Sequence, residues 1–306
     1  MRRVGKGVRA SCPHCSEAGG TPALLSLKTV RSISAASRFC RAAEGPVVLV
    51  PTMGALHRGH AALIDRARAL AGAKGTVVVS IFVNATQFGP KEDLSRYPRP
   101  FTADRKLCAA HGADLLFHPA PEEIYPEGFS TYVEETSVSP PLCGESRPGH
   151  FRGVCTVVLK LFQIIQPSIA VFGLKDYQQC AVIRRMARDL NLRVRIVAMD
   201  TVREPDGLAL SSRNQYLSRE ERAQAPILRK GLLRAADAFR NGETSAARLR
   251  QLLKKTIATA PLARIDYAEL VNADSLQREA TASRDSIMAL AVFFGRTRLI
   301  DNVMLR

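Results

Sequence analysis

Residues 47–60, which decide how the rest of the chain is interpreted, read Val47-Val48-Leu49-Val50-Pro51-Thr52-Met53-Gly54-Ala55-Leu56-His57-Arg58-Gly59-His60. The first four are continuously apolar, which is typical of a parallel strand buried on both faces. After the turn, apolar residues recur at helical spacing, at Leu63, Ile64, Ala67 and Leu70. A buried strand that leads directly into a helix indicates an α/β fold.

The same alternation continues to about residue 201. Apolar runs predict further strands at 76–83, 114–117, 168–172 and 193–199. Helical patterns lie between them, with apolar faces at 154–165 and 183–190. Strand–helix–strand units connected by right-handed crossovers predict a Rossmann-like, doubly wound parallel sheet over residues 26–201.

The pattern changes near Val202. Residues 219–260 indicate helices rich in Ala, Leu and Arg, and strands are expected at 265–271 and 286–294. The second of these should pair with 297–301 across the Gly295-Arg296 turn. We therefore expect a smaller C-terminal α+β lid domain over residues 202–306. Residues 1–25 have no periodicity and are interpreted as a flexible N-terminal extension.

Composition excludes some classes of protein. The chain has 306 residues, 46% hydrophobic and 24% charged, as in a globular protein with a substantial core. No apolar run approaches the roughly 18 residues of a membrane span, and no secretory signal pattern is present. We expect a cytoplasmic protein without a membrane partner.

The formal net charge of +16 raises the possibility of nucleic-acid binding. However, the arginines are spread along the chain, and aromatic residues amount to only 6% with no tryptophan. Little is therefore available for base stacking, and we expect no nucleic-acid partner. A basic cleft for a small anionic substrate fits the charge equally well.

The cysteines favour reduced thiols over disulfides, because their number, seven, is odd and their spacing irregular. Cys12 and Cys15 resemble half of a zinc site. No second close pair follows in the sequence, so we predict no protein-bound metal.

The segment from Pro51 to His60 has the properties of a phosphate site. Ligands of open parallel sheets bind beyond the carboxyl ends of the strands, and a helix that begins there presents free N–H groups. Gly54 and Gly59 allow close approach of the backbone. His57 and His60 are three residues apart, which brings both imidazoles to one side. The alternative is that either histidine only caps or packs.

The His57-Arg58-Gly59-His60 arrangement resembles the HxGH motif of the nucleotidyltransferase superfamily. Members of that group catalyse attack of a substrate on the α-phosphorus of a nucleoside triphosphate, with release of pyrophosphate. Longer motifs are more specific, namely Val79 to Phe88, Tyr97-Pro98-Arg99, Arg147 to Val154, Phe172 to Gln179 and Val202 to Asn214. In this order they resemble the pantothenate synthetase (pantoate–β-alanine ligase) family from about Leu27 to Arg306.

That resemblance implies ATP-dependent condensation of pantoate with β-alanine through pantoyl adenylate, with release of pyrophosphate and AMP. It implies a nucleotide site formed by Met53, Gly54, Ala55, Leu56, His57, Arg58, Gly59, His60, Gly173, Leu174, Lys175, Asp176, Val202, Leu210, Ser211, Ser212 and Arg213. Of these, the residues expected to act on the phosphates are His60, His57, Lys175, Ser211, Ser212 and Arg213. Binding of pantoate or β-alanine is assigned to Gln87, Gln179, Asn84, Tyr97 and Arg147.

Each assignment has a structural alternative. Lys175 and Asp176 could form an exposed ion pair of little energetic value. Ser211 and Ser212 could cap a helix. Gln87 and Gln179 could be surface amides. These residues follow successive predicted strands, where the ligand site of a Rossmann-like fold lies, and this position favours the functional interpretation.

The chain also departs from the family pattern. Ala85 stands where a proline is usual, and Leu174 where a glutamate is usual. The acidic residues sometimes associated with magnesium are reduced to Asp104. Mg²⁺ is therefore expected to arrive with ATP, held by phosphates and water. The resemblance also implies a homodimer.

Two other functions are consistent with parts of the sequence. A nucleotidyltransferase that stops after transferring AMP or CMP would need no amine. A nucleic-acid-binding protein would use the basic surface and bind with a steep salt dependence.

Overall fold

The computed structural model describes residues 27–90 and 92–306. The extension predicted at 1–25, including Cys12 and Cys15, lies outside this part of the chain. The strands are β1 (Lys28–Val30), β2 (Val47–Thr52), β3 (Thr76–Ile81), β4 (Leu115–Phe117), β5 (Ile169–Gly173), β6 (Arg195–Met199), β7 (Ala263–Asn272), β8 (Ser286–Phe294) and β9 (Thr297–Met304). The helices are α1 (Ile33–Arg41), α2 (Arg58–Ala71), α3 (Phe101–Ala110), α4 (Pro121–Ile124), α5 (Cys143–Ser146), α6 (His150–Ile165), α7 (Tyr177–Asp189), α8 (Arg219–Gln224), α9 (Ile227–Arg240) and α10 (Ala246–Ile257).

The first six strands form one parallel sheet in the order β1-β4-β3-β2-β5-β6. Successive residues of β2 pack into cores on opposite faces of this sheet, Leu49 on one side and Val48 and Val50 on the other. Burial on both faces explains why the strand is continuously apolar. The strand order reverses between β2 and β5, so the crevice for a ligand is expected at their carboxyl ends.

The last three strands form a separate antiparallel sheet in the order β7-β8-β9. Its inner face packs with α9 and α10, through residues such as Leu232, Leu253 and Leu290. The predicted hairpin of β8 and β9 is confirmed, with Phe294 paired to Thr297. A six-stranded parallel sheet followed by this smaller sheet confirms the predicted fold class. The domain boundary predicted between residues 201 and 202 stays a prediction. It lies two residues after the end of β6 at Met199.

The strand predicted least well is β1, which sequence analysis did not find. It has only three residues, Lys28–Val30, and pairs at the sheet edge with β4. So short a run carries no periodicity that could distinguish it from a loop. No helix among residues 27–90 and 92–306 has the length and apolar content needed to cross a membrane.

Candidate active site

A cavity of about 230 Å³ lies at the carboxyl ends of β2 and β5. The predicted site residues that line it are Met53, His57, Gly59, His60, Asn84, Gln87, Tyr97, Arg147, Gly173, Lys175, Asp176, Gln179, Val202, Leu210, Ser211, Ser212 and Arg213. Residues from widely separated parts of the chain, such as Met53 and Arg213, thus meet where the strand order reverses.

Five predicted nucleotide-site residues do not line this cavity: Gly54, Ala55, Leu56, Arg58 and Leu174. Arg58 lies outside it because its guanidinium pairs with Glu204 at 3.0 Å and the side chain is 72% exposed. The backbone N–H groups of Ala55 and Leu56 are already bound to the Asp104 carboxylate.

His57 and His60 lie at the start of α2 with ring centroids 4.2 Å apart. His57 is the N-cap residue, and its Nδ1 accepts a hydrogen bond from the backbone N–H of Gly59 at 3.1 Å. Nδ1 of His60 accepts from the backbone N–H of His57 at 3.3 Å. In a neutral imidazole whose Nδ1 accepts, the proton is on Nε2. Capping therefore makes Nε2–H of each ring a hydrogen-bond donor.

Both rings are expected to be neutral at pH 7. Burial, reinforced by the Lys175 ammonium, lowers the pKa of His57 to about 4. Burial and the neighbouring His57 and Lys175 lower the pKa of His60 to about 3. The two histidines therefore offer fixed neutral donors, and Lys175 offers the positive charge.

Lys175 lies in the short 3-10 turn Leu174–Asp176 that connects β5 to α7. Its Nζ is 3.8 Å from Oδ1 of Asp176, a long ion pair, and the Lys175 side chain is 20% exposed. The alternative of an exposed ion pair fits Asp176, whose side chain is 45% exposed, but not Lys175, which is mostly covered and lines the cavity.

Ser211 and Arg213 also line this cavity. Oγ of Ser211 accepts a hydrogen bond from the Arg213 N–H at 3.3 Å, so Ser211 does cap the 3-10 turn Ser212–Tyr216, as in the structural alternative. Arg213 donates from Nε and Nη2 to the Asp93 carboxylate, at 2.9 Å each. This pair holds the guanidinium in one orientation and leaves Nη1 without an Asp93 contact. Asp93 is not among the residues predicted from the sequence, because it lies 120 residues from Arg213 in the chain.

Asn84 and Gln87 have different surroundings, although both line the cavity. Asn84 is 1% exposed, and its amide donates to Oε1 of Gln87 at 3.0 Å and to the Gly153 carbonyl at 3.1 Å. Its Oδ1 accepts from Thr86 and Tyr125, at 2.9 Å each. The contact with Asn84 orients the Gln87 side chain so that its Nε2 points to the sulfur of Met53, 3.2 Å away.

Arg147 is held by other protein groups. It donates from Nε and Nη2 to the Glu92 carboxylate, at 2.7 and 2.5 Å, and from Nη1 to Nε2 of His150 at 3.1 Å. Because Nε2 of His150 accepts, its Nδ1 carries the proton and donates to the Gln87 carbonyl at 2.8 Å. His150, which sequence analysis did not single out, thus connects α6 to the segment that carries Gln87.

Tyr97 is 7% exposed, with its hydroxyl 3.4 Å from that of Ser212.

The adjacent residues Gln178 and Gln179 both lie in the first turn of α7 but have different surroundings. Gln178 is 6% exposed; its Nε2 contacts the carbonyls of Val138, Ser139 and Pro141, and its Oε1 accepts from the Cys143 N–H. Gln179 faces the cavity. Of the two, only Gln179 lines the cavity of the histidines, and the Gln178 amide is already engaged by backbone groups.

Comparison with known proteins identifies relatives over nearly the whole chain. The sequence model described as "Pantoate-beta-alanine ligase" matches residues 25–304. The chain is 50% identical over 279 residues to pantothenate synthetase of Thermotoga neapolitana, covering 91% of this chain and 99% of that protein.

Solved structures agree with this result. Pantothenate synthetase from Thermus thermophilus superposes with a TM-score of 0.86 at 44% identity, covering 91% of this chain and 99% of the other. Pantoate-beta-alanine ligase from Francisella tularensis, complexed with beta-gamma ATP and beta-alanine, has a TM-score of 0.75 at 32% identity, covering 91% and 98%.

Proposed function

Because the chain belongs to the pantoate–β-alanine ligase family and is an enzyme of that class, we propose that it makes pantothenate through a pantoyl-adenylate intermediate. In the first step, a carboxylate oxygen of pantoate attacks the α-phosphorus of ATP, and the bond to pyrophosphate breaks. In the second step, the amine of β-alanine attacks the acyl carbon and releases AMP. A proton leaves the nitrogen as the amide forms.

One observation carries this proposal: groups suited to bind phosphates and groups suited to bind pantoate line the same cavity. His57, His60 and Lys175 come from the carboxyl ends of β2 and β5. Gln87 and Gln179 lie in the same cavity and offer neutral groups for hydroxyls and a carboxylate. Neither step requires a protein nucleophile, so positioning and electrostatics can carry the acceleration.

The Nε2–H donors of His57 and His60 are proposed to contact phosphate oxygens. Their Nδ1 atoms are held by backbone N–H groups, so the rings do not need to reorganise when charge grows at the α-phosphoryl group. Lys175 adds a compact cation. Ser211, Ser212 and Nη1 of Arg213 are proposed to donate to the triphosphate tail, and Gly173, Asp176 and Val202 to hold the adenosine portion.

Pantoate is proposed to lie between Gln87 and Gln179. Gln87 is the better supported of the two because Asn84 fixes its Oε1, which leaves Nε2 to exchange its weak contact with the Met53 sulfur for a substrate oxygen. Asn84 itself acts on Gln87 in this proposal, since its hydrogen-bonding groups are all used. Arg147 and Tyr97 form the rim.

Mg²⁺ is proposed to enter bound to ATP. Within residues 27–90 and 92–306, no three His, Cys, Asp or Glu side chains lie close enough to hold an ion. Phosphate oxygens and water are the expected ligands, and the ion neutralises phosphate charge.

We also propose that the enzyme acts in the cytoplasm as a homodimer. The cysteines that the structure describes are free and buried, in keeping with a reducing compartment. The dimer follows from the family resemblance, and light scattering of the purified protein tests it.

Isotope exchange tests the two-step proposal. Labelled pyrophosphate should exchange into ATP only when pantoate is present and without any need for β-alanine. Addition of β-alanine should then release AMP. Exchange without pantoate would instead favour a nucleotidyltransferase, and no exchange in folded, ATP-binding protein would contradict the adenylate.

A further inference from the structure

The C-terminal sheet contacts the turn that carries Lys175 through the side chain of Asn302 on β9. Its Nδ2 donates to the carbonyl of Leu174 at 2.9 Å and to that of Lys175 at 3.1 Å. A primary amide has two N–H groups, so it can serve two adjacent carbonyls at once. The Leu174 carbonyl precedes the Lys175 α-carbon in the chain and the Lys175 carbonyl follows it, so Asn302 holds the backbone on both sides of the residue.

Asn302 is itself held firmly. It is paired with Ala289 in the ladder of β8 and β9, and its N–H donates to Oδ1 of Asp301 at 2.8 Å. Asp301 is 3% exposed and accepts two hydrogen bonds from Arg203, at 2.7 and 2.9 Å. Charge-assisted pairs of this geometry are strong and directional. These contacts fix the backbone of β9 at Asn302 and thereby the position of its side-chain amide.

Two consecutive residues of β9 thus contact two different loops of the nucleotide site. Asn302 contacts the turn after β5, and Asp301 contacts Arg203, which follows Val202 directly. Arg203 also bridges to Ala209, shortly before Ser211. The C-terminal sheet is therefore connected to both loops that supply Lys175 and Ser211 to the cavity.

We propose that Asn302 is a positioning residue for the adenylation step. By holding the Leu174 and Lys175 carbonyls, it determines where the Lys175 ammonium lies relative to His57 and His60. This inference rests on the role proposed above for Lys175. Asn302 lines a second, larger cavity of about 520 Å³, which shares Lys175 and Ser211 with the cavity of the histidines but is not lined by His57 or His60. Its proposed effect on the adenylation step is exerted through the Lys175 backbone, which it contacts directly.

A double-mutant cycle separates positioning from a purely structural contact, because residues that act through one another have non-additive effects. Asn302→Ala should lower kcat about ten- to one-hundredfold, as expected for a displaced catalytic group. Asn302→Asp keeps the shape but places a carboxylate against two carbonyls, so it should be at least as impaired. In the Lys175→Ala background, either change should have little further effect.

The measurements are kcat and KM for each substrate, with thermal unfolding to confirm that each variant folds. Asn241→Ala, in an exposed residue at the end of α9, is the control and should resemble the parent enzyme. Normal kcat in both Asn302 variants, or losses that multiply with that of Lys175→Ala, would overturn the positioning role while leaving the proposed function intact. Normal turnover of Lys175→Ala would overturn the role of Lys175, and with it this inference.

Discussion

Oδ1 of Asp104 accepts a hydrogen bond of 2.8 Å from the backbone N–H of Leu56. Its Oδ2 accepts one of 2.9 Å from Ala55, whose φ of +51° lies in the left-handed region. That conformation costs a non-glycine residue ~1–2 kcal/mol, so the loop needs outside support. Asp104 is 2% exposed on α3 and supplies it. The residue considered for magnesium on sequence grounds therefore holds the loop that leads from β2 into His57.

Asp104→Asn tests this relationship. The amide nitrogen of Asn would face a backbone N–H, so one hydrogen bond and the negative charge are lost. We expect the free energy of unfolding to fall by ~1–3 kcal/mol. We expect kcat to fall about tenfold or more, because the start of α2 is displaced. Asp65→Asn, at an exposed residue of α2, is the matched control and should change neither quantity. A parent-like kcat in Asp104→Asn would contradict the role.

Substitution of His60 tests the donor assignment. His60→Ala removes the Nε2–H group, and we expect kcat to fall by about two orders of magnitude, as for loss of one transition-state donor. His60→Gln restores an N–H donor at similar reach and should recover part of the rate. His111→Ala, on the exposed pair with Asp65, should be neutral. Equal rates for His60→Ala and the parent would reject the assignment.

Stability should depend on pH through the same histidines. In the unfolded chain each takes up a proton near pH 6.5, whereas the folded pKa values are about 4 for His57 and about 3 for His60. Because the unfolded state then binds more protons, stability is full above pH 6.5 and is lost as pH falls towards 4. Each such proton contributes a slope of up to ~1.4 kcal/mol per pH unit.

The slope can be measured by urea unfolding of the parent and of the His57→Gln/His60→Gln double variant across this window. The double variant should lose less stability per pH unit than the parent. Nitrogen chemical shifts of the two imidazole rings provide a direct check. At pH 7 they should show Nε2 protonated and Nδ1 unprotonated in both rings. Titration of either ring near pH 6.5 would contradict the burial argument.

Gln178 and Gln179 form a natural pair of test and control. Gln178→Ala leaves the carbonyls of residues 138–141 without their donor, so we expect ~1–3 kcal/mol lower stability. Gln179→Ala removes a cavity group and should raise KM for pantoate with little change in unfolding temperature. The reverse pattern, or equal effects on stability, would show that the roles are misassigned.

Much of the site could be predicted because the fold concentrates ligand-binding residues at one edge. Apolar runs such as 47–50 identify the strands, and residues that follow β2 and β5 must meet where the strand order reverses. The family resemblance then supplied roles that periodicity alone does not contain. For His57, His60 and Lys175 both lines of reasoning indicate the same residues, because these lie shortly beyond the ends of β2 and β5.

The supporting residues could not be predicted in the same way. Asp93, Asp104, His150 and Asn302 each act on a backbone or side chain that is distant in sequence, and their partners depend on how loops pack. The difference between Gln178 and Gln179 has the same origin, since it depends on the segment 138–143. A single sequence contains no local pattern for such contacts.

Transfer of an oxygen label tests the central claim most directly. With ¹⁸O in both carboxylate oxygens of pantoate, the adenylate mechanism breaks the acyl carbon–oxygen bond in the second step. One labelled oxygen should therefore appear in the phosphate of AMP and the other in the amide carbonyl of pantothenate, as measured by mass spectrometry. AMP without the label, or label in pyrophosphate, would contradict attack of the pantoate carboxylate on the α-phosphorus.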